Sequence, residues 1–292
     1  EQLGLVKDIK SVKPPLRFFL YPYLQSELNF KKNNSSNSSY SAGLDLKYGL
    51  SNSFTLDLTL IPDFGQVAFD DEELNLTPFE QQFDENRAFF TEGASLFKKA
   101  DIGFRAGNFF YSRRIGQKLD FNENDYLLDN EELLMYDKKP KLINSVKVTG
   151  TTDTKLSVGI INTITDNAYA YFKNNLTNLE RNELLAPTTN YNVLSLTQEI
   201  INHVSSISVL NTNINRKNGL NGNNTALVAN IFDNKRKYNI QSAIYGSYAP
   251  RFSEKNGFKG YISAEELEGN FQFFLHWTGV DKYYNQNELG YF

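Results

Sequence analysis

Apolar and polar residues alternate with a period of two along most of this chain. In Leu16–Phe30 most even-numbered residues are apolar, whereas the odd-numbered ones include Arg17, Gln25 and Glu27. Successive side chains of a β-strand point to opposite faces, so this pattern predicts a strand with one apolar and one polar face. The pattern recurs and predicts about eleven strands, near residues 16–30, 44–50, 54–60, 142–150, 155–164, 191–201, 204–214, 225–233, 236–248, 258–267 and 270–278.

Composition removes several classes of function. The 292 residues include no cysteine and only two histidines, His203 and His276, which excludes disulfides and thiolate metal sites and disfavours a histidine-based site. The formal net charge of −4 argues against nucleic-acid binding, which needs a basic surface. The mean hydropathy of −0.47 and the absence of a run of about 18 apolar residues exclude a transmembrane helix. A membrane β-barrel is compatible with both, because its alternating strands are hydrophilic on average.

Connection lengths favour a membrane barrel. Long connections at 31–39, 62–141 and 166–189 alternate with short ones at 51–53 and 152–154. Outer-membrane barrels have short periplasmic turns and longer outer loops. We therefore expect an all-β, antiparallel transmembrane β-barrel in the bacterial outer membrane, in contact with its lipid, with the N-terminal end in the periplasm. Tyr21, Tyr23, Tyr283 and Tyr284 fit aromatic girdles at the membrane interfaces. A soluble β-sandwich or solenoid is the alternative fold.

Strand number and loop length set the expected organisation. Eleven is an odd number of strands, whereas single-chain bacterial barrels have an even number. The count therefore predicts an incomplete barrel that continues beyond residue 292. The stretch 62–141 is too long for an ordinary loop and is expected to form a plug or structured insertion. The predicted regions are a periplasmic lead-in at 1–15, first barrel strands at 16–61, the insertion at 62–141 and further strands at 142–292.

The predicted plug contains the densest polar chemistry of the chain. Carboxylates and guanidiniums are expected to form bidentate pairs that tie the plug to the barrel wall, around a small core of phenylalanines. The expected plug motif consists of Asp63, Gln66, Asn75, Thr77, Glu80, Arg87, Phe89, Phe90, Glu92, Gly93, Tyr111, Ser112, Arg113 and Arg114. A filled lumen would not be an open pore.

Two ligand or enzyme interpretations compete with a purely structural plug. Asp70, Asp71, Glu72 and Glu73 are candidates for a calcium site, although their spacing does not fit an EF-hand. Otherwise no cofactor is expected. Glycoside hydrolysis needs two carboxylates across a cleft, a requirement that many acidic loops satisfy. Ser112 does not lie in a Gly-x-Ser-x-Gly elbow. No catalytic residues are assigned.

Residues 40–116 resemble an uncharacterised outer-membrane family of Bacteroidota. The matching segments are Gly43–Gly49, Pro62–Val67, Asn75–Thr77, Phe79–Glu80, Arg87–Gly93, Leu96–Phe97 and Phe110–Gly116. The resemblance implies a C-terminal β-barrel that usually follows a carbohydrate-binding family 9-like domain, which this chain lacks. Glu288–Tyr291 resembles a motif found mid-barrel in that family, which again implies further strands. The chain departs from the family pattern at Val67–Asp70 and Gln82–Phe90.

These observations lead to one principal expectation and two alternatives. We expect an outer-membrane β-barrel with an internal plug, acting in transport or as a scaffold in a cell-surface complex, with a lipoprotein or larger outer-membrane assembly as partner. The first alternative is a membrane-anchored protein that binds or processes carbohydrate, for which a glycan would be the ligand. The second is a soluble β-rich binding module.

Overall fold

Antiparallel strands make up nearly all of the regular structure. The computed structural model describes residues 16–30, 36–61, 81–103 and 107–291. The described strands are β1 (Phe18–Phe30), β2 (Ser36–Gly49), β3 (Phe54–Leu60), β4 (Glu131–Tyr136), β5 (Leu142–Thr151), β6 (Leu156–Thr165), β7 (Ala168–Asn174), β8 (Glu180–Ala186), β9 (Thr189–Ile200), β10 (Ser205–Arg216), β11 (Gly222–Phe232), β12 (Tyr238–Tyr248), β13 (Gly257–Glu266) and β14 (Phe274–Val280). The described helical elements are one helical turn, α1 (Ala88–Thr91), and 3-10 turns at Ala94–Lys98, Ser112–Arg114 and Glu123–Asp125. Among these residues no helix is long and apolar enough to cross a bilayer.

Eleven strands form one large sheet. Its order is β1-β2-β3-β5-β6-β9-β10-β11-β12-β13-β14, and every neighbouring pair is antiparallel. Each predicted strand corresponds to one of these eleven, so the all-β antiparallel prediction is confirmed. The sheet is open between β1 and β14.

Three further strands, β4, β7 and β8, form a separate small sheet that the sequence did not predict. Its order, β4-β7-β8, follows the order of β5, β6 and β9 in the large sheet, because β4 leads into β5, β6 leads into β7 and β8 leads into β9. At the junction of the two sheets, a backbone hydrogen bond from Asp166 to Lys141 (2.8 Å) continues the pairing of β5 with β6, and one from Asp137 to Tyr169 (2.9 Å) continues the pairing of β4 with β7. The small sheet therefore extends this part of the large sheet, and we call the strands of the large sheet the wall.

The two ends of the large sheet differ in their connections. Residues 50–53, 152–155 and 201–204 form short turns at one end, which we call the turn end. Residues 61–141 and 166–188 connect strands at the opposite end, the loop end, as the alternation of lengths predicted.

The outward face of the large sheet is apolar and exposed. Residues that lie directly opposite each other on neighbouring strands share a face, so the register assigns every side chain to one face. The exposed apolar residues of the outward face include Ile160, Ile207, Leu227, Ile244, Phe258, Ile262, Leu275 and Trp277. Their exposed fractions reach 66% at Leu275 and 61% at Trp277. This is the reverse of a soluble sheet, whose apolar face is buried.

The inward face is largely polar and buried. Its buried polar residues include Thr59, Ser145, Lys147, Thr163, Ser195, Thr197, Ser208, Thr212, Asn224, Ser247, Lys259 and Ser263. Two segments cover this face. The first consists of residues 81–103 and 107–118, which we call the inner segment, and the second consists of residues 281–291, which we call the C-terminal segment. Within the C-terminal segment, Tyr284 and Leu289 are buried.

Three of the four tyrosines named for the predicted aromatic girdles, Tyr21, Tyr23 and Tyr284, do not face outward. Tyr21 pairs with Asp45 on β2, and Tyr23 pairs with Gly43, which places both tyrosines on the inward face. Tyr284 lies in the C-terminal segment and is 8% exposed. The prediction failed because aromatic residues near a strand end do not by themselves reveal which face they occupy.

Candidate functional site

The inner segment packs into the large sheet through two apolar clusters. The first contains Phe90, Phe97, Phe110, Ile115, Leu142, Ile161, Val193, Ile214 and Leu289. The second contains Ala100, Phe109, Leu210, Ala226, Val228, Ala243, Tyr245, Tyr261 and Tyr284. Each cluster joins the inner segment, the wall strands and the C-terminal segment. The apolar residues of these clusters that belong to the inward face therefore lie where the two segments cross it.

Arg87 organises the inner segment. Its guanidinium makes a bidentate pair with Glu85, with Nε–Oε1 at 2.8 Å and NH2–Oε2 at 2.7 Å. The same group donates to the backbone oxygens of Ile115 (2.9 Å) and Ser112 (2.7 Å), and its Cζ lies 4.4 Å from the centre of the Phe90 ring. Arg87 and its carboxylate therefore hold two distant parts of the inner segment together.

The predicted bidentate pair thus lies within the segment rather than between the segment and the wall. Glu85 also accepts a hydrogen bond from the Ser112 hydroxyl at 2.6 Å. Burial raises the pKa of Glu85, but the hydrogen bonds and positive charge of Arg87, together with Ser112, outweigh it and hold the pKa below its ordinary value. Glu85 is therefore a carboxylate at neutral pH.

Lys147 fastens the inner segment to the wall. This β5 residue is 1% exposed, and its ammonium donates to the backbone oxygens of Phe89 (2.6 Å) and Glu92 (2.9 Å). It also forms an ion pair with Asp57 on β3 at 3.3 Å. Lys47 on β2 lies 3.8 Å from Asp57 and pairs with the side chain of Glu92. Three wall strands thus converge on the short helix α1.

Two more wall residues bind backbone oxygens of the inner segment. Ser195 on β9 donates to Leu96 at 2.6 Å, and Tyr245 on β12 donates to Ala100 at 2.9 Å. Both donors are buried. Because the contacts come from β5, β9 and β12, the inner segment is attached across much of the width of the sheet.

The C-terminal segment is bound to the inner segment by backbone hydrogen bonds and to the wall by an ion pair. Backbone hydrogen bonds join Tyr111 to Leu289 (2.7 Å), and Asn108 and Tyr291 bond to each other in both directions (2.8 Å each). Glu288, 2% exposed at its side chain, pairs with Arg216 of β10 at 2.5 Å. Because Arg216 ends β10, this segment crosses the inward face near the loop end.

Gly107 permits this close crossing, and its replacement by alanine is expected to be destabilising. Its φ of +65° disfavours a side chain, and a Cβ would collide with the backbone oxygen of Tyr291. We expect Gly107→Ala to lower the free energy of unfolding by about 1–3 kcal/mol, measured by urea titration. Gly246→Ala is the control, because its Cβ would meet only the Phe258 ring at 3.9 Å. Equal stability of the two variants would contradict the tight crossing.

Asp101 is expected to make stability depend on pH. Burial raises its pKa from 3.8 to about 6, against the opposing effects of a hydrogen bond from the Phe109 backbone and the charges of Lys98 and Lys259. As the pH rises, Asp101 therefore loses its proton in the unfolded chain before it does so in the folded protein. Its contribution to the free energy of unfolding is fully present below about pH 4 and is lost as the pH rises through about 6.

The variant Asp101→Asn removes the ionisation but keeps the oxygen that accepts from Phe109 at 2.7 Å. We expect it to be more stable than the wild type at pH 7, by about 2 kcal/mol, and equally stable at pH 4. Unfolding at both pH values tests this, with the exposed turn residue Asp153→Asn as the control. A variant whose stability follows the wild type at both pH values would rule the effect out.

The remaining predicted residues fall into two groups. Phe89, Phe90, Glu92, Gly93, Tyr111, Ser112, Arg113 and Arg114 all lie in the inner segment. Arg114 donates to the Gly290 backbone at 3.1 Å, and Arg113 lies over the Phe83 ring at 5.8 Å. The other group lies outside the described residues, and it consists of Asp63, Gln66, Asp70, Asp71, Glu72, Glu73, Asn75, Thr77 and Glu80. The calcium site stays a prediction, and the described residues contain no group of three or more metal-binding side chains.

Sequence reasoning missed several residues of this site. Asp57 and Lys147 occupy polar positions of predicted strands, and a charged residue in a strand was the available signal. Arg216 and Glu288 gave no comparable signal, because a long stretch of sequence separates them.

Comparison with known proteins places the chain in a family. A family model described as a domain of unknown function (DUF5916) matches residues 14–292. The chain belongs to this family. The match to DUF5916 includes the inner segment as well as the strands, so the inner segment is part of the family's domain. The Bacteroidota origin and the carbohydrate-binding fusion stay predictions.

Solved structures similar to this chain include two forms of OmpT, an outer membrane protein of Vibrio cholerae. The in-vitro folded trimer form shares 13% identity, over 91% of this chain and 88% of that chain, with a TM-score of 0.34. The loop L8 deletion mutant shares 14% identity, over 91% and 93%, with a TM-score of 0.37. A likeness at this level adds nothing to what the sheet itself shows. No curated protein matches the chain.

Proposed function

We propose that this chain forms the wall of an outer-membrane β-barrel whose interior is closed by the inner and C-terminal segments. The observation that carries the proposal is the reversed sheet, with exposed apolar side chains outward and buried polar side chains inward. Membrane barrels present apolar side chains to the hydrocarbon chains of the lipid and polar side chains to their interior. Backbone polar groups inside a membrane must pair, and strand pairing meets this requirement throughout the sheet except at the open edges of β1 and β14.

The same observation disfavours a soluble β-rich module. A soluble sandwich buries its apolar faces between two sheets. Here the inward face is covered by irregular segments held through hydrogen bonds and ion pairs. In water, large side chains such as Trp277 and Ile244 would form an exposed apolar surface of a kind that soluble monomers rarely carry.

The proposed role is transport controlled by the inner segment, or scaffolding in a cell-surface complex with a lipoprotein or larger assembly as partner. Both roles start from a closed interior, and transport would require the inner segment to move. The family description specifies no activity, and we assign no catalytic residues. Carbohydrate binding or processing stays the alternative prediction.

Membrane fractionation combined with a heat-modifiability gel tests the proposal. The full-length protein is expected in the outer-membrane fraction and should migrate differently in detergent before and after boiling. Release into the soluble fraction without detergent would overturn the proposal. Glycan-array binding and reducing-sugar release by the same preparation would separate the scaffold role from the carbohydrate alternative.

A further inference from the structure

An uncharged amide patch interrupts the apolar outward face of the large sheet. It lies on β6, β9, β10 and β11, in the half of these strands nearest the loop end. Its members are Asn162, Asn190, Asn192, Asn211, Asn213, Asn215, Asn223 and Thr225, and we call it the amide patch. Towards the turn end the same strands present Ile160, Leu194, Val209 and Leu227 outward instead.

The amide patch is an island within the apolar surface. One row of directly opposed residues crosses seven strands, from Leu58 through Val146, Asn162, Asn192, Asn213 and Asn223 to Tyr248. The row is apolar at one end, aromatic at the other and amide only in the middle. Strands of a membrane barrel are tilted, so such a row changes depth steadily from one end to the other. If these amides merely marked the level at which the wall leaves the membrane, the row would be polar from the patch to one of its ends, whereas one end is apolar and the other is aromatic.

Hydrogen bonds link the patch across the strands. Asn162 donates to the side-chain oxygens of Asn190 and Asn192, at 2.7 Å in each case. Asn211 donates to the Thr225 hydroxyl at 2.8 Å. Further bonds join Asn211 to Asn223 (3.2 Å) and Asn215 to Asn213 (2.6 Å). Each amide has two donor hydrogens and an acceptor oxygen with two lone pairs, so these contacts do not use the whole hydrogen-bonding capacity of the patch.

In the membrane such a patch needs a polar partner. This step rests on the proposed barrel, because in water the amides would simply be hydrated. Polar side chains that face hydrocarbon are costly, and between membrane segments asparagines serve as contact points through hydrogen bonds. The patch contains no Lys, Arg, Asp or Glu, so a strongly charged lipid headgroup is not its complement.

We propose that the amide patch is the contact surface between two copies of this chain in the membrane. Asparagine is both donor and acceptor, so the patch complements itself when two copies face each other about a two-fold axis. Because the patch is uncharged, the copies meet without electrostatic repulsion. The apolar residues on both sides of the patch, such as Val146 and Tyr248, would extend the contact as ordinary lipid-facing surface.

Disulfide crosslinking tests the proposal cleanly, since the chain contains no cysteine. The full-length variants Asn192→Cys and Asn213→Cys, oxidised in outer membranes, are expected to form a disulfide-linked dimer. Ile262→Cys, which faces outward three strands away from β10, is the control and should remain monomeric. Absence of a dimer from both asparagine variants, or equal dimer from Ile262→Cys, would overturn the proposal.

A second variant tests the contact without introducing cysteines or a disulfide. Asn192→Leu combined with Asn213→Leu replaces the centre of the patch with lipid-compatible side chains, so the barrel should still fold. We expect its mass in mild detergent to fall from two chains to one, and its heat-modifiability to remain. A mass of two chains, or of one chain for the wild type as well, would overturn the dimer. Loss of heat-modifiability in the wild type would instead contradict the barrel itself.

Discussion

Replacing Lys147 with methionine is expected to release the inner segment from the wall. The change keeps the length of the side chain but removes the ammonium that binds the Phe89 and Glu92 oxygens and pairs with Asp57. Among the described residues, Lys47 at 3.8 Å is then the cation that remains beside the buried Asp57. We expect a loss of about 3 kcal/mol in the free energy of unfolding, at the lower end for a broken buried ion pair because Lys47 remains.

The functional readout of Lys147→Met is conductance across a planar lipid bilayer. The wild-type barrel is expected to be closed, whereas the variant should show openings, because helix α1 is no longer held at the wall. Lys147→Arg should restore closure in part, and Lys141→Met, an exposed residue, should behave as the wild type. Steady conductance through the wild-type protein would contradict the closed interior. A variant as stable as the wild type would show that Lys147 does not anchor the segment.

The sequence predicted the large sheet well, because alternation is a local property. Each strand from β9 to β13 is ten residues or longer and alternates over part of its length, so its place could be read directly. Its two faces could not be read throughout, because β10 turns Leu210 and Ile214 inward and Asn213 outward. The small sheet was not predicted, because its strands lack a regular alternation. In β4 a register shift between Leu133 and Met135 breaks the period, and β8 (ERNELLA) does not alternate between apolar and polar residues.

The contacts of the inner segment were less predictable, because most of them join residues far apart in the chain. The sequence indicated that Arg87 would find a carboxylate, but not that this would be Glu85. An extended backbone places residues i and i+2 on the same side, so the nearest carboxylate is local. The anchors to the wall are mainly backbone oxygens, as at Phe89 and Leu96. Because every residue has a backbone oxygen, residue identity cannot reveal such partners.

Replacing Arg87 with alanine is expected to have the largest effect on stability. The change leaves Glu85 buried without its bidentate partner and removes the donor to the Ser112 and Ile115 oxygens. A broken buried pair costs about 3–5 kcal/mol, and we expect Arg87→Ala to fall in this range by urea unfolding in detergent. Arg87→Lys keeps the charge but loses the fork geometry, so it should fall between wild type and alanine.

The pH dependence of Arg87→Ala separates the ion pair from simple loss of packing. In the wild type burial raises the pKa of Glu85, but Arg87 lowers it by more, so the pKa lies below its ordinary value. The ion pair therefore stabilises the folded protein above the ordinary carboxyl pKa, and this stabilisation is lost as the pH falls. In Arg87→Ala only burial and Ser112 remain, and with burial dominant the pKa should rise, so acid should stabilise the variant relative to the wild type. Adding Glu85→Leu should recover part of the lost stability, since removing both charges leaves neither one buried alone. If the double variant were as unstable as Arg87→Ala at every pH, the packing of Arg87 on Phe90, rather than its pairing with Glu85, would hold the inner segment together.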